Sequence, residues 1–255
     1  MGKFVIGLDI GGSKIEGIVF DGKKVVTELK IVMPKSRFEF EKNLIRLCRF
    51  LSAKYKITAI GVGCAGLVDP KSGMVNYSPN ISFLRSFNLV KLVKQSGIKT
   101  VKVDNDTNCF TRAEMILGQG KKFANFLGII LGTGVGGGIV IDGKIFRGIH
   151  NHGSEFGFML TESEFLEKAY QRSRNAKNYK EAGKIIGRGF ASLVNIFEPQ
   201  ALIIGGGFGQ NEQAKYLPHA KAEMRKFLFD PKSQTKILVS KLKNAGAIGA
   251  ALLVK

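Results

Sequence analysis

The chain has 255 residues, of which 44% are hydrophobic and 32 are glycines, and its formal net charge is +19; this is the composition of a globular protein with many tight turns. The three cysteines, Cys48, Cys64 and Cys109, lack CxxC spacing, which excludes a zinc site or a disulfide framework built on them and indicates a cytoplasmic protein. No apolar run reaches the roughly 20 residues that span a bilayer, and the strand-like opening is not typical of a signal peptide.

The first half of the chain alternates between strand-like and helix-like patterns. Apolar spacing and turn residues predict, in chain order, strands at Phe4–Asp9, Ile15–Phe20 and Lys24–Met33, a helix at Phe38–Lys54, a strand at Ala59–Gly63, a turn-rich loop at Cys64–Asn80, a helix at Leu89–Gln95 and a strand at Thr100–Val103.

The second half begins after a connecting helix at Asn108–Leu117. It is predicted to contain a strand at Phe126–Leu131, a β-branched strand and hairpin up to Lys144, a polar loop, helices near 162–172 and at Tyr179–Ile196, a strand at Ala201–Ile204 and a packed helix at Ala245–Val254. The expected lobes are 1–112, joined by the C-terminal helix 244–255, and 113–243.

One phrase occurs twice, at a constant offset of 121 residues. The segment Gly7–Lys23 corresponds to Gly128–Lys144, and six of the seven residues in GIVFDGK and GIVIDGK are identical. Each copy consists of an apolar strand, a turn rich in glycine, a second strand and an Asp-Gly hairpin. The second copy matches the GxGxxG dinucleotide fingerprint, but a strand follows it where that fingerprint requires a helix. Two glycine turns that offer backbone N–H groups to an anion favour a phosphoryl-transfer enzyme.

The first turn carries the residues that a magnesium-bound phosphate requires. Asp9 precedes it and is a natural Mg²⁺ partner, directly or through water. Ser13 can donate a hydrogen bond to a phosphate oxygen, and Lys14 can offset its charge, although Lys14 could equally be a solvated lysine at a strand edge. Gly205–Gly207 would let a flat ligand approach the backbone, or would simply be the turn that enters a helix.

Phosphoryl transfer also needs a carboxylate that orients and deprotonates the acceptor hydroxyl. Asp104, Asp106 and Glu155 are the candidates. Asp106 is favoured because it follows a strand whose carboxyl end should open into the crevice of an α/β sheet. Asp104 could instead cap the helix that follows.

At these positions the sequence resembles the ROK family of sugar kinases, within the actin/hexokinase-like ATPase superfamily. The resemblance covers nearly the whole chain and rests on motifs in the family's order: Asp9–Lys14, Gly63–Asp69, Ser78–Asn80, Asn105–Asp106, Leu131–Gly138, Ser154–Gly157, Glu198–Gly207 and Gly246–Ala251. It implies a two-lobed α/β fold, a ribonuclease H-like arrangement in which each lobe has a mixed sheet with helices.

The resemblance also implies roles for single residues. Asp106 would be the general base toward the 6-hydroxyl of a hexose, glucose being the simplest case, with ATP and Mg²⁺ as cofactors. The sugar would be held by Gly66, Asn80, Asn105, Asp106 and Glu155. The donor phosphates would lie among Gly11, Gly12, Ser13, Lys14, Gly132, Thr133 and Gly134, and the adenosine would lie near Gly206 and Gly207.

The chain departs from the family pattern after Glu155. Family members carry Glu-x-Gly-His and then a cysteine-rich zinc loop, but here Phe158 takes the histidine's place and the loop is absent, so no zinc is expected. Glu167 matches the end of that motif and could contact the sugar near its 1- or 2-hydroxyl, or it could be an exposed helix residue. His150 and His152 could replace the missing imidazole, or they could be solvent-exposed.

Three hypotheses on function remain open. ATP-dependent hexokinase activity leads. A polyphosphate-dependent glucokinase is the runner-up, because a compact chain with a GGS turn resembles that branch and the +19 charge would attract a polyanionic donor. A sugar-binding sensor is the third, although retention of Asp9, Asn105 and Asp106 favours chemistry. The charge could also reflect a generally lysine-rich surface. Membrane and nucleic-acid partners are not expected, and a homodimer is left open.

Overall fold

A computed structural model describes residues 4–161 and 163–255. The chain separates into two compact units. Unit 1 comprises the chain up to Ala113 together with Gly148–His152 and Leu242–Lys255, and unit 2 comprises Glu114–Arg147 and Gly153–Lys241. The predicted helix start at position 162 lies outside the described residues.

Unit 1 is built on a five-stranded mixed sheet with the order β3-β2-β1-β4-β8. The strands β1–β3 form an antiparallel meander, and β4 and β8 pair in parallel beside β1. The elements of this unit are β1 Phe4–Ile10, β2 Lys14–Phe20, β3 Val25–Val32, α1 Arg37–Ser52, β4 Ile57–Cys64, β5 Leu67–Asp69, β6 Met74–Tyr77, β7 Phe87–Asn88, α2 Leu89–Lys94, β8 Val101–Asn105, α3 Asp106–Ile116, which continues into unit 2, and α8 Ala245–Ala251.

Unit 2 repeats this plan with a five-stranded sheet in the order β11-β10-β9-β12-β13. Its pairing directions match those of unit 1, strand by strand, so the sequence repeat corresponds to a repeated supersecondary structure. The elements are β9 Phe126–Leu131, β10 Val135–Ile141, β11 Lys144–Phe146, α4 Leu166–Asn175, α5 Tyr179–Phe197, β12 Ala201–Gly205, α6 Gly207–Asn211, α7 Gln213–Lys226 and β13 Lys236–Val239.

The predicted helices and strands form where apolar periodicity and caps agree. The N-cap of α1 is Ser36, whose hydroxyl accepts a hydrogen bond from the backbone N–H of Glu39 at 3.3 Å. The helix then buries Phe40, Leu44 and Leu51 against the sheet. The hairpin between β10 and β11, in the second copy of the repeated phrase, has a two-residue type I′ turn, because Asp142 and Gly143 both have positive φ.

One secondary-structure prediction was wrong, and other elements were not predicted. The turn-rich loop at Cys64–Asn80 contains two strands, β5 and β6, which form a small three-stranded sheet with β7. The helix α7 and the strand β13 were not predicted. Helix α7 carries Pro218 in its interior and has a mostly polar sequence, so its apolar periodicity is weak.

The C-terminal helix α8 packs closely on the sheet of unit 1. A Cβ atom at Gly7 would lie 2.0 Å from the carbonyl oxygen of Ala247, and one at Gly61 would lie 1.7 Å from that of Ala250. The helix backbone therefore rests directly on β1 and β4, and only glycine is compatible with that contact. This packing supports β1 and β4, and Asp9 is the penultimate residue of β1.

Candidate functional site

The carboxyl ends of three parallel strands of unit 1 bring two aspartates together. In the strand register Asp9 pairs with Gly63, which pairs with Asp104. Asp106 follows two residues later as the first residue of α3. The edge of the sheet that an α/β protein uses for ligands therefore carries both Asp9 and Asp106.

Both of these carboxyl groups hold a proton more tightly than an exposed aspartate. Burial raises the pKa of Asp9 to about 7, and the negative charges of Asp106 and Glu16 add to the effect while Lys14 opposes it. Burial also raises the pKa of Asp106 to about 6, against the hydrogen bond from the backbone N–H of Thr107. The two groups can therefore change protonation state near neutral pH.

The N-terminus of α3 is capped by Asn105 and not by Asp104. The side-chain oxygen of Asn105 accepts hydrogen bonds from the backbone N–H groups of Thr107 and Asn108, at 2.8 and 3.2 Å. Asp104 is buried and accepts from the side-chain amide of Asn108, with the guanidinium of Arg112 at 4.0 Å. The hypothesis that Asp104 caps the helix was wrong, because Asn105 is the residue whose side chain reaches the free N–H groups.

Asn105 also fixes the loop that contains Gly66. Its amide nitrogen donates a hydrogen bond to the carbonyl oxygen of Gly66 at 2.9 Å, which uses one of the two amide N–H groups. Gly66 has φ of +113°, and a Cβ atom there would lie 2.2 Å from the carbonyl oxygen of Tyr77. The position therefore requires glycine, and Asn105 ties it to the edge that carries Asp106.

The first glycine turn, Gly11–Ser13, connects β1 to β2 on the surface of unit 1. It is closed by a backbone hydrogen bond from Gly11 to Lys14 at 3.1 Å. A Cβ atom at Gly12 would lie 2.8 Å from the Cβ of Asn80, so these two predicted site residues are in contact. The side chain of Lys14 is exposed at the first residue of β2, an inner strand of the sheet, and its ammonium group lies 3.7 Å from the Glu16 carboxylate.

The second glycine turn, Gly132–Gly134, connects β9 to β10 at the equivalent position of unit 2. It is closed by a backbone hydrogen bond from Gly132 to Gly134 at 3.0 Å. The strand β10 follows at once, so the prediction of a strand and not a dinucleotide-binding helix is confirmed. Thr133 at the tip of the turn is exposed.

One face of α4 holds this second turn, and the sequence pattern did not predict this contact. Four side chains at helical spacing form the α4 face: Glu167, Tyr170, Gln171 and Arg174. The hydroxyl of Tyr170 donates to the carbonyl oxygen of Gly132 at 2.8 Å, and the guanidinium of Arg174 donates to the same oxygen. Polar residues at helical spacing look like a solvated surface, so periodicity alone does not reveal such contacts.

The remaining two contacts of the α4 face involve the middle and the end of the turn. The side-chain amide of Gln171 donates to the carbonyl oxygen of Thr133 at 3.1 Å. The carboxylate of Glu167 accepts from the backbone N–H of Val135 at 2.7 Å. A Cβ atom at Gly134 would lie 2.1 Å from that carboxylate. Glu167 is therefore half-buried against the turn and is not an exposed helix residue.

Gly206 and Gly207 form the turn that enters a helix, and their role beside a ligand stays a prediction. Gly206 precedes α6 as its N-cap and has φ of +83°, and a Cβ atom there would lie 2.4 Å from the carbonyl oxygen of Leu131. A Cβ atom at Gly207 would meet nothing within 4 Å. The turn therefore enters a helix, and it also leaves open space beside Gly207.

The segment in which the chain departs from the family pattern contains exposed side chains. Glu155 is exposed and precedes a short 3₁₀ turn, Phe156–Phe158. Phe158 is 56% exposed, and its ring lies 5.2 Å from that of Phe165. His150 and His152 are both exposed, with ring centroids 6.5 Å apart.

The donor set of unit 1 fits a magnesium–nucleotide complex better than a free metal ion. Over residues 4–161 and 163–255 there is no group of three or more His, Cys, Asp or Glu side chains that could hold a metal. Magnesium bound to a nucleotide needs only one or two carboxylates, because phosphate oxygens and water supply its other ligands. Asp9, beside the first glycine turn, meets that requirement.

No helix within the described ranges is long and apolar enough to cross a membrane.

Comparison with known proteins identifies the family. A family model described as "ROK family" matches residues 5–167 and 159–255. The chain belongs to the ROK family. Glucokinase from Streptomyces coelicolor is 25% identical to it over 98% of this chain and 97% of its own length.

Two solved structures of ROK kinases resemble this chain over nearly its full length. The ROK family glucokinase from Streptomyces griseus, in complex with glucose and AMPPNP, has a TM-score of 0.87 and 26% identity and covers 98% of this chain and 99% of its own. The inorganic polyphosphate/ATP-glucomannokinase from Arthrobacter sp. strain KM has a TM-score of 0.82 and 26% identity over 99% and 98%. The predicted actin/hexokinase-like α/β fold is confirmed.

Proposed function

We propose that this protein transfers the terminal phosphoryl group of ATP, as its magnesium complex, to the 6-hydroxyl of a hexose, most simply glucose. The observation that carries the proposal is the pair Asp9 and Asp106 at one sheet edge of unit 1, both with pKa values raised toward neutrality. A metal-binding carboxylate and a basic carboxylate are the two acidic groups that sugar phosphorylation needs. The resemblance to a glucokinase solved with glucose and AMPPNP supports the same chemistry.

Asp106 acts as the general base. As the sugar oxygen attacks the γ-phosphorus atom, the bond from that atom to the bridging oxygen breaks and ADP leaves, while the hydroxyl proton passes to the carboxylate of Asp106. A pKa of about 6 leaves this carboxylate ionised at pH 7 and more basic than an exposed aspartate. Its backbone is fixed at the first turn of α3, which Asn105 caps.

The sugar is held by Gly66, Asn80, Asn105, Glu155 and Glu167. Within unit 1, Asn105 positions the Gly66 loop through its amide nitrogen, and Asn80 lies against Gly12 of the first glycine turn. Contacts that bind hydroxyl groups are thereby linked to the residues that surround the donor. Amide and carboxylate groups suit a hexose, because a buried polar group rejects a ligand that lacks the matching hydroxyl.

The donor is held by the two glycine turns, Gly11–Ser13 and Gly132–Gly134, with Lys14 adding positive charge and Gly206 and Gly207 near the adenosine. Asp9 holds the magnesium ion, directly or through water. The ion, when bound, neutralises charge on the phosphates. The backbone N–H groups of the turns then orient the phosphate oxygens.

Inorganic polyphosphate is a second candidate donor. The formal charge of +19 supports it, since a strongly basic protein attracts a long polyanion. The resemblance to a kinase named for both polyphosphate and ATP supports it as well. ATP remains the leading donor because the glucokinase structure contains an ATP analogue.

A panel of sugars crossed with both donors tests the function. Hexoses and N-acetylhexosamines are offered to the wild-type protein with ATP or polyphosphate in the presence of Mg²⁺, and phosphorylated product is measured. We expect hexose phosphate with ATP. If product formed with polyphosphate and not with ATP, polyphosphate would be the donor. Sugar binding without product from any sugar or donor would contradict the kinase and favour a sensor.

A further inference from the structure

The α4 face controls the direction of the peptide groups in the second glycine turn. Tyr170 and Arg174 both donate to the carbonyl oxygen of Gly132, and Gln171 donates to that of Thr133. These two carbonyl groups are therefore directed toward α4. The carbonyl oxygen of Gly134 is occupied by the N–H of Gly132. All three carbonyl oxygens of the turn thus have partners.

Peptide planarity then fixes where the N–H groups point. In a trans peptide the C=O and the following N–H point in opposite directions, and there is no cis peptide among the described residues. Because the carbonyl groups of Gly132 and Thr133 point toward α4, the N–H groups of Thr133 and Gly134 point away from it. Over residues 4–161 and 163–255 these two N–H groups have no hydrogen-bond partner. Two successive outward N–H groups form a concave site for an anion.

We propose that the α4 face positions the second glycine turn for the phosphate donor. Its side chains hold the carbonyl groups of the turn toward the helix, so that the N–H groups of Thr133 and Gly134 face a phosphate. The proposal rests on the proposed function for the identity of the donor. Glu167 completes the arrangement by accepting from Val135 N, which anchors the start of β10. Tyr170, Gln171 and Arg174 are therefore positioning residues, since they act through the backbone of the turn.

The burial of Tyr170 holds one of these donors in place. Tyr170 is fully buried, with its ring edge-on to Phe208 at 5.4 Å, and the guanidinium of Arg174 lies 5.7 Å from the centre of the Tyr170 ring. Burial raises the pKa of the Tyr170 hydroxyl, so this group stays protonated and remains a hydrogen-bond donor. A donor that cannot ionise suits a carbonyl acceptor.

Two substitutions and a matched control test the proposal. Tyr170→Phe and Arg174→Met each remove one donor to the carbonyl oxygen of Gly132 while keeping the ring or the aliphatic stem. Arg172→Met is the control, because Arg172 lies on the same helix and pairs with Glu164 at 2.5 Å, away from the turn. The readouts are the dissociation constants of a non-hydrolysable ATP analogue and of pyrophosphate, that of glucose, and the melting temperature.

Each single variant should weaken analogue binding about fivefold, the usual worth of one hydrogen bond. The double variant should lose more than the product of the two, because the carbonyl is then free to turn. Glucose affinity should change less than twofold, Arg174→Lys should restore part of the loss, and Arg172→Met should bind like the wild type.

Unchanged analogue affinity in a folded double variant, with only a lower melting temperature, would overturn the proposal. A wild-type protein that binds neither the analogue nor pyrophosphate would overturn it too. A wild-type protein that binds the analogue but phosphorylates no sugar would contradict the proposed function alone, and the affinity series would still decide the role of α4.

Discussion

The first glycine turn, Gly11–Ser13, and the second, Gly132–Gly134, join equivalent strands of two units that have the same strand order. In unit 1 the charges lie on the strands themselves, with Asp9 before the turn and Lys14 after it. In unit 2 the neighbouring charges come from helix α4, more than 30 residues later in the chain. The repeated phrase therefore predicts a turn between the same two strands in each unit, but the turns close differently, with Gly11 N–H bonded to Lys14 O and Gly132 N–H to Gly134 O, and different groups support them.

Because different groups support the two turns, we expect the two units to respond to different perturbations. Among the described residues, no side chain donates a hydrogen bond to the backbone of the first turn, whereas three side chains of the α4 face donate to the second turn and a fourth, Glu167, accepts from the N–H of Val135. Unit 1 should therefore act through ionisable groups and respond strongly to pH. Unit 2 should act through a fixed backbone and respond to changes in packing.

The largest expected effect comes from the ionisable side of this comparison. Asp106→Asn should lower kcat for sugar phosphorylation by on the order of 10³, because a general base contributes about 10² to 10⁴. Steady-state kinetics and calorimetric titration with the sugar measure it. Sugar affinity should stay within a few fold, since the asparagine keeps the shape of the side chain. Wild-type turnover by this variant would remove Asp106 from the chemistry.

The pH dependence of stability should also be concentrated in unit 1. The pKa of Asp9 is raised from 3.8 to about 7, so the folded protein binds that proton more tightly than the unfolded chain. Its stabilising contribution is complete below about pH 3.8 and is lost as the pH rises through about 7. Asp9→Asn should therefore gain melting temperature relative to the wild type as the pH rises from 5 to 8.

Asp230→Asn provides the matched control for that measurement, because Asp230 is exposed in unit 2. Thermal melts of the three proteins are compared at both pH values. A melting temperature of Asp9→Asn that falls relative to that of the wild type between pH 5 and pH 8 would contradict the assigned cause, since burial penalises the charged carboxylate.

The catalytic rate should depend on the ionisation of the same carboxyl group and of its neighbour, Asp9 and Asp106. Asp106 must be ionised to accept a proton, and Asp9 must be ionised to hold magnesium, so kcat/KM should rise from pH 5 to pH 8. A profile of initial rates over that range measures this. A flat profile would mean that neither carboxylate titrates in the free enzyme near its assigned pKa.

A smaller effect distinguishes the two turns by packing. Gly134→Ala should lower the free energy of unfolding by about 1 to 3 kcal/mol, because the new Cβ would lie 2.1 Å from the Glu167 carboxylate. Gly11→Ala and Gly132→Ala are the controls. Their nearest contacts are 3.6 Å away and beyond 4 Å, so denaturant unfolding should show little loss for either. Equal losses at all three positions would show that α4 does not constrain the second turn.

The sequence predicted the parts of this molecule that are encoded locally. Strands such as Phe126–Leu131 and the helix Tyr179–Phe197 follow from apolar periodicity, and the repeated phrase revealed that the two turns join corresponding strands. The sequence also placed Asp106 at the carboxyl end of a strand, and its role as the base stays a prediction. Asn105, and not Asp104, caps the helix. The sequence could not show this, since the helix geometry decides which side chain reaches the free N–H groups.

What the sequence could not show is support that comes from a distant element. Tyr170, Gln171 and Arg174 resemble an ordinary polar helix surface, and only the fold brings them to the second turn. The strands β5 and β6 were missed for a similar reason. They are short, and within residues 4–161 and 163–255 they form a separate three-stranded sheet in which β6 lies between β5 and β7, so their pattern is difficult to tell from that of a loop.

The most direct test of the account is the position of the phosphate in the product. Wild-type protein is incubated with glucose, ATP and Mg²⁺, and phosphorus and carbon NMR identify the sugar oxygen that carries the new phosphate. We predict phosphate on the 6-oxygen, formed by the wild type and not by Asp106→Asn. Phosphate on another oxygen, or equal product from both proteins, would contradict a mechanism in which Asp106 deprotonates the 6-hydroxyl.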